Sequence, residues 1–187
     1  SLNSNTAFEA IIEKVIFPYK ESGGKMVIIS ELEMQKKYPQ TLKYLCSQRS
    51  KLEKRDKGNT KHYPTWYAYG RTQSLKLPKY KLFFPKFASQ RINCVLRDEA
   101  DLMLYNGLAF ISDDVRQLSI LQRILESNIF WMYVIKNGKP YASNYYSLSG
   151  VDIKNFGIPL FSKGQEEQLL SLCKKNEIDS WLEHFYQ

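Results

Sequence analysis

A few residue groups have types and spacings that could support catalysis or metal binding. The run Asp98-Glu99-Ala100-Asp101 could hold a divalent cation, and Asp152-Ile153-Lys154 matches the Asp-x-Lys half of a metal-dependent nuclease site. Cys46 with His62 could act as a nucleophile and a base. Each pattern is short, no Pro-Asp lies upstream of Asp152, and no Gly-x-Ser-x-Gly is present. The sequence therefore predicts neither an enzyme nor a metal site.

The segment from Trp66 to Phe87 has a different chemical character. It interleaves aromatic rings with Lys and Arg and contains no carboxylate, a composition that suits a negatively charged partner. Its alternating apolar positions predict strands on either side of a loop formed by Gly70-Arg71-Thr72-Gln73. The polar residues from Arg71 to Ser74 are then expected at an accessible turn.

Several side chains in and near this segment have the geometry for nucleic acid. Arg71 can pair with guanine and Gln73 with adenine in the major groove. Cations suited to phosphates are Lys76, Lys79, Lys81, Lys86 and Arg91. We expect most of the aromatic rings to pack in the core, with Tyr67 or Tyr69 as the exceptions.

The positive charge is concentrated in one part of the chain. The net charge is +8, but residues 36–100 contain 16 of the 27 Lys and Arg and only four acids, so this segment carries +12 and the rest −4. Such an asymmetry steers polyanions to one surface. Residues 36–100 are the predicted DNA-facing part, and residues 112–187 the helical part.

The pattern of apolar and turn residues predicts small strands and short helices. Two strands are expected around the turn Ser22–Lys25, and a helix over about residues 39–55 begins at Pro39. Further strands are expected at 65–70, 80–85, 91–97 and 107–111, and a helix at 114–126 after Ser112-Asp113-Asp114.

The remaining C-terminal sequence predicts a loop and two helices. Residues 139–147 are aromatic and polar without clear periodicity, as in an exposed loop. Leu169, Leu172 and Cys173 mark one amphipathic helix, and the range Ile178–Phe185 marks another, capped by Asp179 or the residue before it. The expected class is α+β, a small mixed or antiparallel sheet with packed helices.

Composition excludes several other kinds of protein. Hydrophobic residues make up 43% of the chain, too many for a disordered segment, and the longest apolar run, Ile129–Ile135, is far below the roughly 20 residues needed to cross a bilayer. Three cysteines without Cys-x-x-Cys predict neither disulfides nor zinc and fit a reducing cytoplasm, without a membrane partner. Residues 1–5 are expected to be an expression scar or disordered start before a single domain over 6–187.

The order of several short motifs resembles a known family. This order is similar to that in the C-terminal specificity domain of TaqI-like and type IIG restriction-modification adenine methyltransferases. The motifs are Tyr38-Pro39, Tyr44-Leu45, Leu52-Glu53-Lys54-Arg55, Trp66-Tyr67-Ala68-Tyr69-Gly70-Arg71-Thr72-Gln73, Lys81-Leu82-Phe83-Phe84-Pro85, Asn106-Gly107, the helix ending Leu125-Glu126-Ser127-Asn128, the Ile-Pro strand at Phe156–Pro159 and the terminal helix Ile178–Tyr186.

The resemblance implies a target-recognition-domain-like fold that binds double-stranded DNA and does not itself catalyse. Neither the family's cofactor-binding domain nor its Asn-Pro-Pro-Tyr motif is present, so the chain is expected to be a domain of a larger parent protein. The implied partner is the methyltransferase domain of that parent. This domain uses S-adenosylmethionine, with magnesium added where the parent cleaves DNA, whereas no cofactor is expected in this chain. The expected DNA-binding residues are Arg55, Lys57, Lys61, His62, Tyr69, Arg71, Thr72, Gln73, Ser74, Lys76, Lys79, Lys86, Asn144 and Tyr145.

Two questions about this assignment stay open at the level of sequence. Because family members that read different sites share the Gly-Arg-Thr-Gln stretch, Arg71 and Gln73 either read bases or hold the backbone, with base choice then made by loops 56–63 and 139–147. Alternative functions are half of a type I specificity subunit, a metal-dependent nuclease that needs Asp152, or a module that binds single-stranded RNA by stacking on Tyr67 or Tyr69.

Overall fold

The computed structural model describes residues 14–72, 75, 77, 79–103 and 108–186, without the side chain of Asp152. The chain forms two compact units, a smaller unit of residues 13–76 and a larger unit built on residues 77–187. The boundary between them divides the basic segment 36–100. That residues 6–187 act as a single domain stays a prediction.

The smaller unit begins with a β-hairpin. Strands β1 (Tyr19–Ser22) and β2 (Lys25–Ile28) pair antiparallel, with Ser22 opposite Lys25. Gly23 and Gly24 connect them with φ angles of +58° and +72°, which glycine adopts without the steric cost of a Cβ. The predicted pair of strands around this turn is confirmed.

Three short helices follow the hairpin. They are α1 (Glu31–Lys37), α2 (Pro39–Ser47) and α3 (Arg49–Glu53), and a 3-10 turn continues over Arg55–Gly58. The predicted helix at 39–55 is confirmed in position, with Pro39 at its start, although it is broken at Gln48. Helix α1 was not predicted. Its signal is Ser30, whose side chain accepts a hydrogen bond of 3.2 Å from the backbone N–H of Glu33.

The predicted strand at 65–70 is wrong, because this segment consists of turns and bends. Tyr67 and the adjacent Ala68 are both buried, so the side chains do not alternate between two faces as in a strand. Tyr67 instead joins the core of the smaller unit, whose other buried members are Ile29, Met34 and Leu45.

The larger unit contains a three-stranded antiparallel sheet. Strand β3 (Tyr80–Phe84) lies between β5 (Val95–Arg97) and β6 (Leu108–Ser112). Leu82 lies opposite Leu96 on one side and Phe110 on the other, which places apolar side chains on the face toward the core. The strands predicted at 80–85 and 107–111 are confirmed, whereas the strand predicted at 91–97 is limited to its last three residues.

A second antiparallel sheet in this unit has the order β4–β8–β7. It consists of β4 (Phe87–Ala88), β7 (Lys139–Tyr141) and β8 (Tyr145–Ser147), with a 3-10 turn over Ala142–Asn144. The predicted loop at 139–147 is therefore wrong. Strands of three residues are too short to show a period-2 pattern, and Pro140 is accommodated because β7 is an edge strand.

Helices pack around these sheets. They are α4 (Val115–Leu125), α5 (Asn128–Asn137), α6 (Gly150–Lys154), α7 (Lys163–Ser171) and α8 (Lys175–Glu183). The predicted helix at 114–126 is confirmed as α4. Asp114 caps it by accepting a hydrogen bond of 2.8 Å from the N–H of Arg116. The larger core contains 17 buried residues, including Leu82, Phe130 and Leu182.

Two expectations for the C-terminal region are wrong. Asp179 does not cap α8, which has Lys174 at that position; it accepts hydrogen bonds from Arg91 and from the N–H of Asn128. Residues Phe156–Pro159, which resemble an Ile-Pro strand, form no strand. Local sequence could not show the role of Asp179, because its partner Arg91 lies 88 positions away in the sequence.

The α+β class and the small antiparallel sheets are as predicted. Across the described ranges, no helix is both long and apolar enough to cross a membrane. Cys46, Cys94 and Cys173 are free thiols. Burial raises the pKa of the Cys94 thiol well above its ordinary value.

Candidate nucleic-acid interface

Arg55 organises the polar end of the smaller unit. Its Nε donates to the carbonyl of Leu52 at 2.8 Å, and its Nη2 donates to the carbonyls of Trp66 and Ala68 at 2.9 and 3.0 Å. A planar guanidinium can hold several carbonyl groups in this way, which an ammonium cannot do with the same geometry. Arg55 was predicted to contact DNA, but these bonds use its guanidinium to fasten residues 66–68 to the end of α3.

Tyr63 holds the loop of residues 57–62 against Arg55 and Asp56. The Tyr63 hydroxyl donates to the Asp56 carboxylate, and the Arg55 guanidinium lies 5.4 Å from the centre of the Tyr63 ring. A Cβ at Gly70 would lie 2.5 Å from the Tyr63 hydroxyl oxygen, so a larger residue here would have to displace the Tyr63 side chain. We call the cluster of Arg55, Asp56, Tyr63 and Gly70 the Arg55 junction.

The Arg55 junction positions five of the predicted DNA-binding residues. Lys57, Lys61 and His62 belong to the loop between Asp56 and Tyr63, and Arg71 and Thr72 follow Gly70 directly; all five are exposed. The ring of His62 also makes an edge contact with that of Tyr63, with centroids 4.5 Å apart. The contact between Tyr63 and Gly70 therefore brings the two predicted segments to one end of the unit, although the sequence separates them by several residues. Gln73, Ser74 and Lys76 lie outside the described residues.

The cations of this region are available for a partner. Helix α2, helix α3 and the loop after them carry exposed cations that form no ion pair in the described part of the chain: Lys43, Lys51, Lys54, Lys57, Lys61 and, after Gly70, Arg71. The nearby acid Asp56 is engaged by Tyr63, and Glu53 is paired with Arg49 at 2.8 Å. The unpaired cations outnumber the free carboxylates, so this surface is positively charged.

Both of the loops predicted to choose bases contain backbone in the left-handed region. Asp56 and Lys57 have φ angles of 47° and 60°, and Ser143 and Asn144 have 59° and 64°. Among the described non-glycine residues these four are the only ones with positive φ. Side chains other than glycine tolerate this conformation at a cost of about 1–3 kcal/mol each, a strain that is common at functional sites.

Tyr67 and Tyr69 are structural residues. Tyr67 is only 3% exposed and its hydroxyl donates to the carbonyl of Ile29 at 2.6 Å. The Tyr69 hydroxyl donates to the carbonyl of Ile16 at 2.6 Å, and its N–H donates to the Tyr19 hydroxyl at 2.7 Å. Burial raises the pKa of both phenols. The prediction of an exposed ring is wrong for Tyr67, whereas Tyr69 is half-buried with its hydroxyl already bound, and stacking of a base on its ring stays a prediction.

The predicted phosphate-binding residues of the larger unit divide into exposed and internal ones. Lys86 is exposed, and Lys79 is exposed with its ammonium 4.9 Å from the Tyr80 ring, whose hydroxyl raises the pKa of Lys79. Lys81 is 5% exposed and donates to the carbonyls of Glu99 and Ala100 at 2.6 and 3.0 Å; burial lowers its pKa. Arg91 pairs with Asp179 at 2.8 Å. Lys81 and Arg91 therefore serve the fold, contrary to prediction.

The second predicted loop is the tip of the hairpin β7–β8. Asn144 is exposed and Tyr145 is half-buried at the start of β8. Sequence reasoning missed two neighbours on this sheet, Phe87 and Tyr141, which are 38% and 60% exposed. The sequence signal for Tyr141 was the lack of any carboxylate in residues 127–151. The pairing of Phe87 with this hairpin is a long-range contact that the sequence does not show.

The positive charge is better described by the two structural units than by the sequence segment 36–100. Residues 13–76 contain 14 Lys and Arg against six Asp and Glu, a net charge of +8, whereas the remaining residues contain 13 of each sign. The larger unit is thus balanced in charge, and the whole excess lies in the smaller unit. This assigns the electrostatic attraction for a polyanion to the unit that contains the Arg55 junction.

The groups considered for catalysis are dispersed. Cys46 lies on α2, the acids at 98–101 lie in an exposed turn, and Ile153 of the Asp-x-Lys pattern is buried on α6. Searched over the described residues, the structure holds no group of three or more His, Cys, Asp or Glu that could bind a metal ion. No protein-family model matches the chain, and no curated protein is significantly similar to it.

Proposed function

We propose that this chain is a double-stranded DNA recognition module of a restriction-modification adenine methyltransferase, and that it binds DNA without catalysing a reaction itself. The observation that carries the proposal is the excess charge of +8 within residues 13–76, the unit that contains the hydrogen-bonded Arg55 junction. Lys and Arg that neutralise phosphates release counterions and so supply most of the affinity for DNA. The order of the motifs supports the choice of duplex DNA and of the parent family.

The residues around the junction have separate roles in this proposal. Lys57 and Lys61 contact phosphates, while Arg71, which follows Gly70 of the junction, makes a paired contact with guanine or fixes the DNA backbone. Arg55 does not contact DNA in this proposal. Its hydrogen bonds hold residues 66–68 against the end of α3. The target adenine is flipped and methylated by a methyltransferase domain of the same parent chain, which binds S-adenosylmethionine and works in the cytoplasm.

The salt dependence of duplex binding tests the proposal. Fluorescence anisotropy with a labelled duplex should show log K falling linearly with log salt, with a slope of about −0.9 for each phosphate neutralised. Lys57→Ala and Lys61→Ala should each reduce the slope by about 1, because each removes one phosphate contact. Lys136→Ala, an exposed cation at the end of α5 in the neutral unit, is the matched control and should leave the slope unchanged.

Selection of binding sequences from a randomised duplex pool tests whether the module is sequence-specific. A single enriched motif is expected, and Arg71→Ala should relax the preference at one position while costing about 1–3 kcal/mol if Arg71 reads guanine. A uniform loss across all sequences would instead assign Arg71 to the DNA backbone. Binding that does not depend on salt, or no duplex binding at low salt, would refute the proposed function.

A further inference from the structure

The three-stranded sheet β4–β8–β7 has two chemically different faces. Ala88, Tyr146 and Pro140 are paired in one row, and Ala88 is fully buried while Tyr146 contacts Trp131 with ring centroids 5.8 Å apart. Side chains alternate along a strand, so the next row, Phe87, Ser147 and Lys139, points to the opposite, outer face. Tyr141 and Tyr145, two residues farther along their strands, share this face. We call it the aromatic face.

Two large rings lie together and exposed on the aromatic face. The centroids of Phe87 and Tyr141 are 4.6 Å apart with an angle of 33° between the ring planes. The small side chain of Ser147 lies between their strands, which leaves room for the rings to meet. Their exposures of 38% and 60% leave flat aromatic surface accessible to solvent.

The charges around this face indicate the kind of partner. The sheet is built from two stretches of sequence, 79–97 and 127–151, and neither contains an Asp or Glu. Lys86 precedes Phe87 and is exposed, and Lys139 is exposed in the same row. An aromatic surface whose own strands and flanking residues include cations and no carboxylates complements a ligand that has flat rings and negative charges. Unpaired nucleotides have both.

We infer that the aromatic face binds unpaired bases of single-stranded nucleic acid. One base stacks on the exposed Tyr141 and Phe87 rings, phosphates pair with Lys86 and Lys139, and the Asn144 amide at the hairpin tip offers hydrogen bonds to a base edge. This site belongs to the larger unit and recognises bases that are not paired, whereas the Arg55 junction belongs to the smaller unit. Its rings are far more exposed than that of Tyr67, one of the two rings that the sequence favoured for stacking.

Direct binding of the whole chain to a single strand tests the inference. The probes are fluorescein-labelled oligothymidylate and oligouridylate of about 12 nucleotides and a labelled duplex, all followed by fluorescence anisotropy. Tyr141→Ala and Phe87→Ala should each weaken binding to at least one single strand by about five-fold or more, since base stacking on an aromatic ring is worth that much. The DNA and RNA arms identify which strand is the source of the unpaired bases.

Matched variants separate stacking from a loss of fold. Tyr141→Phe keeps the ring and should bind like the wild type, whereas Met132→Ala removes an equally exposed apolar side chain from α5 and should have no effect. Circular dichroism checks that each variant is folded. A failure of duplex binding in the wild type would bear only on the proposed function, whereas the single-strand affinities of Tyr141→Ala and Phe87→Ala bear on this inference. Equal single-strand affinity of wild type, Tyr141→Ala and Phe87→Ala would overturn the inference.

Discussion

The two units of this chain achieve order in different ways. The larger unit has balanced charge and, among its described residues, a core cluster of 17 buried side chains, and its stability is expected to come mainly from apolar packing. The described part of the smaller unit has a core cluster of four buried side chains, and the net charge of +8 of this unit opposes compaction. Side-chain hydrogen bonds to backbone carbonyls, from Arg55, Tyr67 and Tyr69, do much of the positioning there.

This difference shows how a basic surface can be held rigid without a large core. Carbonyl groups in loops need donors, and long side chains with fixed planar groups can supply several at once. The half-buried Arg55 and the hydroxyls of Tyr67 and Tyr69 bind the backbone carbonyls, and lysines such as Lys57 and Lys61 remain exposed. The comparison predicts that the two units will respond to different perturbations.

Removal of one core ring should have the largest effect, and it should act on the larger unit. Phe130 is 1% exposed and contacts Phe156 edge-on at 5.1 Å, so Phe130→Ala should destabilise this unit by about 3–5 kcal/mol. Urea unfolding followed by circular dichroism measures the loss. Met132→Ala on the same helix is exposed and should cost less than about 0.5 kcal/mol. Similar losses in both variants would contradict the assigned core.

Replacement of the Arg55 guanidinium should lower the stability of the smaller unit more than any other polar substitution in it. Arg55→Lys keeps the charge but cannot bridge the carbonyls of Leu52, Trp66 and Ala68, so we expect a loss of about 1.5–3 kcal/mol. Hydrogen exchange should show lower protection in α2 while α4 is unchanged. Lys54→Ala is the neighbouring control. If Arg55→Lys had wild-type protection but weaker duplex binding, Arg55 would be a DNA ligand and not a structural residue.

Tyr186 should contribute an alkaline loss of stability to the larger unit, in addition to the loss expected in the smaller unit from the raised pKa values of Tyr67 and Tyr69. Burial raises the pKa of Tyr186 to about 12, and its hydroxyl donates to the carbonyl of Gly157 at 2.9 Å. The native state therefore keeps a proton that the unfolded state loses near pH 10, so this contribution is complete below pH 10 and is lost between about pH 10 and 12. Because the residue is partly exposed, we expect only about 1 kcal/mol.

The matched variants for this titration differ by a single oxygen atom. Tyr186→Phe has no proton to lose, so its stability should fall less than that of the wild type between about pH 10 and 12 in urea titrations. Tyr44→Phe, at an exposed position on α2, should follow the wild-type curve. Parallel curves for wild type and Tyr186→Phe would show that another group controls the transition.

Salt should have the smallest effect and should distinguish the units most directly. Raising the ionic strength from about 0.01 to about 0.15 M shortens the Debye length from about 30 to about 8 Å and screens the repulsion among the cations of the smaller unit. We expect a gain of a few tenths of a kcal/mol in hydrogen-exchange protection of α2 and none in α4. Equal gains in both helices would mean that the charge excess does not oppose folding of the smaller unit.

Local sequence signals predicted the elements that depend on local interactions. The Gly23-Gly24 turn, Pro39 at the start of α2 and the Asp114 cap of α4 are all at the expected positions. The errors arose where a distant partner decides the conformation. The segment 65–70 alternates like a strand, yet its carbonyls bind Arg55, and residues 139–147 lack a visible period, yet they form a hairpin beside β4.

For the candidate sites, as for the helices and strands, the sequence predicted features that depend on local chemistry but not those that depend on distant partners. Charge and composition correctly predicted that Lys57, Lys61 and Arg71 are exposed, because solvated cations need no tertiary partner, while their contact with DNA stays a prediction. Composition could not separate these from Lys81 and Arg91, which have the same chemistry but bind internal groups. It also selected Tyr67 and Tyr69 for exposure instead of Phe87 and Tyr141, since burial depends on what packs against a ring.

The sequence by itself determined the class of the fold, the charge excess and the types of residue available to a polyanion, because these follow from composition and near-neighbour periodicity. Only the tertiary structure decided which cations are free and which rings are exposed. The physical reason is that a guanidinium or a phenol is satisfied equally by solvent, a ligand or a carbonyl. Which one it meets depends on long-range packing, as at the Arg55 junction and the aromatic face.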